Sequence, residues 1–286
     1  LYNQKKLPNK ILLSGEKGIG KCTLAYHFIN YSLSVNDEYP YDKKNHKINA
    51  NSKSFKLIQN KSNPNFTLID VDTDKKDINI TQIRSLIIEL NKSSFNDKPR
   101  YVLIDNIELL NKSSINALLK ILEEPNDNIF FILINNNKKI LPTLKSRCLN
   151  FKILFTFDQS VRTIDKILND NIYSLLNNEL IHNYSTPGNL YNMIKFMNEY
   201  KVDIKTTGLK DLIELILNEK YYKKESSINN LTFSLIELYF RYNTSIHEHI
   251  LIQKYNYFVK RINDTKRFNL DIDTLFMEFQ NKILNE

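Results

Sequence analysis

The chain has 286 residues, 42% hydrophobic and 25% charged, with a net charge of +8, two cysteines and no tryptophan. That composition excludes intrinsic disorder, and the length admits two or three domains. No apolar run is long enough to read as a transmembrane helix, the first residues do not form a secretory leader pattern, and Cys22 and Cys148 lie too far apart for a zinc module or disulfide framework, so a cytoplasmic protein with no membrane partner is expected.

Charge is unevenly spread. Residues 1–154 carry 24 Lys+Arg against 15 Asp+Glu, and residues 155–286 carry 16 against 17. The excess therefore lies in the first half, where a nucleotide or nucleic acid would find it.

In chain order, the apolar run Ile11-Leu12-Leu13 enters Gly15-Glu16-Lys17-Gly18-Ile19-Gly20-Lys21-Cys22, and a helical pattern follows from Thr23. Strand, glycine loop and helix is the context of a phosphate-binding loop: Gly15, Gly18 and Gly20 let backbone N–H groups close on phosphate, and Lys21 reaches the terminal phosphates. The hydroxyl that binds magnesium in such loops is replaced by Cys22, and a thiol is a poor ligand for a hard cation. Thr23, one position along, is the nearest hydroxyl. His27 reads as a helix-surface residue.

Residues 35–65 form a polar excursion with a helix expected around Phe55–Ile58. Phe66–Asp70 reads as a second strand, followed by acidic residues up to Asp77 that lack the glycine and glutamate of a calcium loop. Thr81 is expected to cap a helix with Ile83, Leu86, Ile87 and Leu90 on its apolar face and Arg84 off it. Arg100–Asp105 is an apolar run ending in a carboxylate, the pattern of a buried parallel strand with a metal-side aspartate. The next residue, Asn106, stands where a hydrolytic enzyme needs a base. Ser113–Glu124 is an amphipathic helix that Pro125 stops. Phe130–Ile134 is a fourth strand, ending in Asn135, and Leu149–Leu154 is a fifth. Five buried runs alternating with helices predict a parallel sheet covered on both faces.

Beyond Phe157 the pattern is helical only. Segments at 159–169, 171–182 and 189–200 are interrupted by the turn Ser185–Gly188, and further helices follow Gly208: Leu209–Leu217, Ile228–Tyr242, His247–Arg261 and Asp271–Leu284. Tyr239, Phe240, Tyr255, Tyr257 and Phe258 fall mostly at helical spacing and are expected to pack in a core rather than stack on bases.

Four stretches together, Gly15–Lys21, Ile104-Asp105, Asn116–Pro125 and Pro142–Cys148, resemble the clamp-loader branch of the AAA+ ATPases, as found in bacterial DNA polymerase III. The resemblance covers roughly residues 1–200. It implies an α/β core with a five-stranded parallel sheet at 1–154, a small helical lid at 155–205 and an all-α collar at 206–286. It implies assembly with clamp-loader ATPase subunits and a delta-type subunit in a hetero-pentameric ring that places a sliding clamp on primed DNA. Arg147, within Ser146-Arg147-Cys148, corresponds to the arginine finger that such a subunit inserts into a neighbour's ATP site, where a permanently charged guanidinium stabilises the transferred phosphoryl group.

The nucleotide-binding set carried over is Gly15, Gly18, Gly20, Lys21, Cys22, Thr23, Asp105 and Asn135, the last at the sensor position. Cys22, Asn106 and Asn189, the last standing where a lid arginine reaches the phosphates, all depart from the active pattern. The expectation is a subunit that does not hydrolyse ATP, holding ATP or ADP if anything, with magnesium only alongside nucleotide, and no zinc. An active ATPase motor of the same assembly is the alternative, and a stand-alone nucleic-acid-binding P-loop protein a third. Arg84 and the basic core are candidate DNA contacts.

Overall fold

The computed structural model describes residues 7–72, 75–93, 96–123, 128–183, 185–243, 248–268 and 270–285. Glu124 and Pro125, expected at the end of a helix, and His247, expected to start one, lie outside them, as do two residues of the acidic stretch after Asp70. The chain divides into two compact units, Leu1–Leu154 and Phe155–Glu286.

In the first unit the strands are β1 (Lys10–Ser14), β2 (Phe66–Ile69), β3 (Arg100–Ile104), β4 (Ile129–Asn135) and β5 (Leu149–Lys152), and the helices are α1 (Lys21–Leu33), α2 (Lys53–Gln59), α3 (Ile80–Leu90), α4 (Lys112–Glu123) and α5 (Pro142–Lys145). The sheet order is β2-β3-β4-β1-β5, and every pairing is parallel. Successive side chains point to opposite faces, so each central strand feeds two cores. Leu12, Val102, Ile104, Phe131 and Leu133 join α3 and α4 on one face. Ile11, Leu13, Tyr101, Leu103, Ile132 and Ile134 join α1 and α2 on the other. The register places Leu12 beside Leu133 and Ile11 beside Ile132, so neighbours on one face belong to one core.

Three local expectations are corrected. The cap of α3 is Asn79, not Thr81: its Oδ1 accepts from the backbone N of Thr81 (3.0 Å) and Gln82 (3.2 Å), and Gln82 Oε1 accepts from Asn79 N (3.0 Å), a reciprocal capping box. β5 is not a buried run. It is an edge strand paired only with β1, and Leu149 stands 48% exposed. The expected 171–182 helix is broken into α7 (Ile172–Leu175) and a 3₁₀ turn at Asn178–Leu180, because Leu176 is extended and Asn177 caps the new turn by accepting from Glu179 N.

The polar excursion is more ordered than its composition suggests. Ser52 caps α2 by accepting from Phe55 N, and Asp37 completes that helix start: its carboxylate accepts from Ser52 Oγ (2.7 Å), Ser54 N (2.7 Å) and Ser54 Oγ (3.0 Å). Lys98 Nζ lies 4.0 Å from the same carboxylate and donates to the Leu33 carbonyl at 2.8 Å. A carboxylate at a helix N-terminus meets free N–H groups and the positive end of the helix dipole.

The second unit is helical: α6 (Phe157–Leu168), α7, α8 (Pro187–Glu199), α9 (Leu209–Asn218), α10 (Ser226–Asn243), α11 (Glu248–Phe268) and α12 (Ile272–Phe279), followed by a π-helical turn at Gln280–Leu284. One apolar cluster runs from Ile164 to Leu284 and takes in side chains from both sides of position 205. Phe240 and Phe258 are buried in it, and Tyr239 and Tyr255 pack against it. Tyr257 is different: it is 43% exposed, and its hydroxyl bonds to Glu278. Among the described residues no helix is long and apolar enough to cross a membrane.

Candidate nucleotide site and Arg147

β1 ends at Ser14 and the loop begins at once. Gly15 N donates to Asn135 O (3.2 Å), which ties the loop to the tip of β4. Gly15 has no room for a side chain: a Cβ there would lie 2.4 Å from the Ile153 carbonyl, because the chain leaving β5 passes directly against it. Gly18 and Gly20 take φ values of 89° and 86°, the left-handed region that favours glycine. Gly20 is also the N-cap of α1, so the loop ends where that helix presents its unbonded N–H groups.

Lys21 is buried, 4% exposed, and its ammonium donates to the carbonyls of Gly15 (2.9 Å) and Glu16 (2.6 Å). Burial pulls its pKa below the usual lysine value, while Asp105, Glu108 and Glu16 oppose that shift. Cys22 is half-buried, and the Asp105 carboxylate lies close enough to act on its thiol. Burial first, and then the Asp105 charge, push the thiol up to about 12. Asp105 is itself raised above the usual carboxylate value, chiefly by burial. Thr23 is exposed on α1.

Sequence reasoning missed a polar ladder across the strand tips. Asn106, with φ at 54°, donates from Nδ2 to Asp70 Oδ1 (2.8 Å), and its N donates to Asp105 Oδ1 (2.8 Å). Asn136 Nδ2 donates to Asn106 Oδ1 (2.8 Å) and Glu108 Oε1 (2.9 Å). Asp70, Asn106, Asn136 and Glu108 are thus linked, and Glu108 is close enough to act on Lys21. Asn135, at the tip of β4 where the sensor position is expected, holds its own loop: Nδ2 donates to Lys138 O (3.0 Å) and Oδ1 accepts from Lys138 N (3.2 Å). Asn137 bridges to the glycine loop through Glu16 Oε1 (2.9 Å).

Two of the predicted residues stand apart from this cluster. Arg84 is exposed on α3. Arg147 precedes β5, whose first residue, Leu149, is level with Ile11, while the glycine loop leaves the far end of β1 after Ser14. Parallel strands rise about 3.3 Å per residue, so Arg147 and the chain's own phosphate loop lie at opposite ends of the sheet, on the order of 15 Å apart along it. Arg147 Nη1 donates to Thr143 O (2.9 Å), and Nη2 pairs with Glu123 Oε1 (2.5 Å). Asn189, in the second unit, is in the first turn of α8, where its N donates to Thr186 Oγ1.

The residues suit the two halves of a metal–nucleotide complex unequally. The left-handed glycines, the helix N-terminus and Lys21 suit phosphate oxygens. The metal half is poorly served: the hydroxyl position holds a thiol, close to the carboxylate that would stand beside the cation. Among the described residues there is no group of three or more His, Cys, Asp or Glu side chains arranged to hold a metal.

A parallel sheet of this order, with a phosphate loop after β1 and an acidic tip on β3, defines a P-loop protein of the AAA+ fold. The solved gamma subunit-related protein of DNA polymerase III from Thermotoga maritima has that fold, with a TM-score of 0.55 at 19% identity over 93% of this chain and 90% of its own. Residues 1–156 match the model of the family described as DNA polymerase III, delta subunit, and the chain belongs to that family.

DNA polymerase III subunit delta' of Buchnera aphidicola subsp. Schizaphis graminum is 25% identical over 92% of this chain and 81% of its own length. Subunit delta' of Buchnera aphidicola subsp. Baizongia pistaciae is 30% identical over 58% of this chain and 52% of its own length. The chain is thus a delta-prime-like member of the clamp-loader proteins of DNA replication.

Proposed function

We propose that this chain is a non-hydrolysing subunit of a DNA polymerase III clamp loader, which supplies Arg147 in trans to the ATP site of a neighbouring subunit. The observation that carries the reading is Cys22 itself, a half-buried thiol at the loop position of the magnesium-binding hydroxyl, which burial and the Asp105 charge keep neutral by pushing its pKa up to about 12. Asn106 adds to it: an amide bonded to Asp70 takes the place of a base. Gly15, Gly18, Gly20 and Lys21 would hold the phosphates of ATP or ADP, and a bound nucleotide would supply charge that fixes the loop. No step of hydrolysis runs through this chain's own site.

On this reading the helical unit serves as lid (155–205) and collar (206–286) within a hetero-pentameric cytoplasmic ring with ATPase subunits and a delta-type subunit. That ring loads a sliding clamp on primed DNA, and the basic first unit with Arg84 faces the DNA. One observation favours the alternative of an active motor: Glu108 supplies a carboxylate close enough to influence Lys21. Steady-state ATP hydrolysis by the purified chain decides between them. No turnover alone, and a ring whose ATPase falls when Arg147→Ala is introduced, is the expected result; turnover by the chain alone that Glu108→Gln abolishes establishes the motor instead.

A further inference from the structure

The guanidinium of Arg147 is held from two directions. Its Nη1 donates back to the Thr143 carbonyl of α5, and its Nη2 reaches the Glu123 carboxylate at the end of α4. Both elements are fixed in the same core: Leu144 of α5 is 1% exposed, and Leu118 and Leu122 of α4 are fully buried. Cys148, next to the arginine, packs against that core too. Glu123 lies at the carboxyl end of α4, where the helix dipole disfavours a negative charge and a nearby cation relieves it. The pair is partly exposed, 31% for the arginine side chain and 53% for the glutamate, so it adds little to stability. Its effect is on orientation. A free arginine side chain has many rotamers, and its planar fork recognises phosphate only when aimed. Two of its five N–H groups suffice to fix the plane.

We propose that Glu123 is a positioning residue, which holds Arg147 in the geometry needed to meet the phosphates of a nucleotide bound by a neighbouring subunit. This rests on the reading of Arg147 as a finger in trans. Pre-orientation lowers the entropy lost on reaching the transition state, so its removal acts on kcat and leaves KM for ATP near its original value.

The test uses the whole assembly, reconstituted with wild-type chain, Glu123→Ala, Glu123→Gln, Arg147→Ala and the double variant, with assembly checked by size-exclusion chromatography. Glu123→Ala is expected to lower kcat roughly three- to tenfold, the scale of releasing part of the arginine rotamer entropy, with KM unchanged. Glu123→Gln, which keeps an acceptor oxygen, falls between Glu123→Ala and wild type. In the Arg147→Ala background, Glu123→Ala has no further effect. An unchanged or raised kcat for Glu123→Ala, or an equal loss in the Arg147→Ala background, overturns the proposal. An assembly indifferent to Arg147→Ala refutes the finger reading itself, whereas one that needs Arg147 but not Glu123 refutes only this inference.

Discussion

Replacing Asp37 with alanine tests how the excursion between the phosphate loop and β2 is held. The Asp37 side chain is 7% exposed, and its loss removes the acceptor from two buried groups, Ser52 Oγ and the Ser54 amide in the first turn of α2. The Ser54 hydroxyl retains the Leu33 carbonyl at 3.1 Å, so it contributes little to the loss. A buried donor deprived of its partner costs about 1–3 kcal/mol, which gives about 3 kcal/mol for the pair. At a urea m-value of about 2 kcal/mol/M, the midpoint of the transition involving this unit drops by about 1.5 M. Both counted bonds end on the one oxygen Oδ2, so Asp37→Asn with its amide oxygen in that place keeps both and is expected to lose much less than Asp37→Ala.

The pH dependence supplies a second check. The hydrogen bonds hold the Asp37 pKa below its ordinary 3.8, against an opposing effect of burial. Its stabilisation is therefore present above the unfolded-state value and is lost as pH falls through the lower folded value, so the gap between wild type and Asp37→Ala closes in acid. Urea titrations followed by circular dichroism at neutral and acid pH make both measurements. A midpoint at neutral pH within about 0.3 M of wild type refutes the reasoning.

Asp105 has the opposite sign. Its raised pKa means that stability falls as pH rises from 3.8 through the folded value, so Asp105→Asn is expected to raise the melting temperature at neutral pH and not below pH 3.8. Cys22 and Cys148, with thiols pushed up to about 12 and about 11, are expected to react slowly with a thiol reagent at pH 8 in the folded protein and rapidly in denaturant. Gly15→Ala forces the new methyl against the Ile153 carbonyl, and a lower thermal midpoint than for an exposed control such as Thr23→Ala is the expected result. Cys22→Thr restores an oxygen ligand; a fluorescent ADP analogue is expected to bind the wild type equally with magnesium or EDTA, and the variant more tightly with magnesium.

The fold was legible because its signals are repetitive. Each central strand is a run of apolar residues bracketed by polar ones, and the glycine loop has a fixed spacing that only one backbone path satisfies. β5 shows the limit of that signal, since its apolar letters do not say that the strand lies at an edge. The glycine loop, Lys21, Cys22 and Asp105 were visible as a motif. The ladder through Asp70, Asn106, Asn136 and Glu108 was not, because its members come from three separate strand tips with no shared periodicity, and among Asn135, Asn136 and Asn137 the letters are identical. Their roles separate only through backbone geometry: Asn135 turns to Lys138, Asn136 to Glu108 and Asn137 to Glu16. Asp37 was hidden in the same way, fifteen or more residues from the serines it serves.

The opposite placement of the phosphate loop and Arg147 along β1 and β5 has a genetic consequence. Arg147 is too far from its own chain's loop to serve it, so if it acts as the proposed finger, the phenotype of a change there is expressed by proteins encoded elsewhere. On the proposed reading, an Arg147→Ala copy expressed beside the natural gene enters assemblies in proportion to its abundance and silences the neighbour in each. It is therefore dominant, whereas a copy that fails to fold is recessive, and the dose-response of replication to the two alleles distinguishes a lost contact from a lost protein.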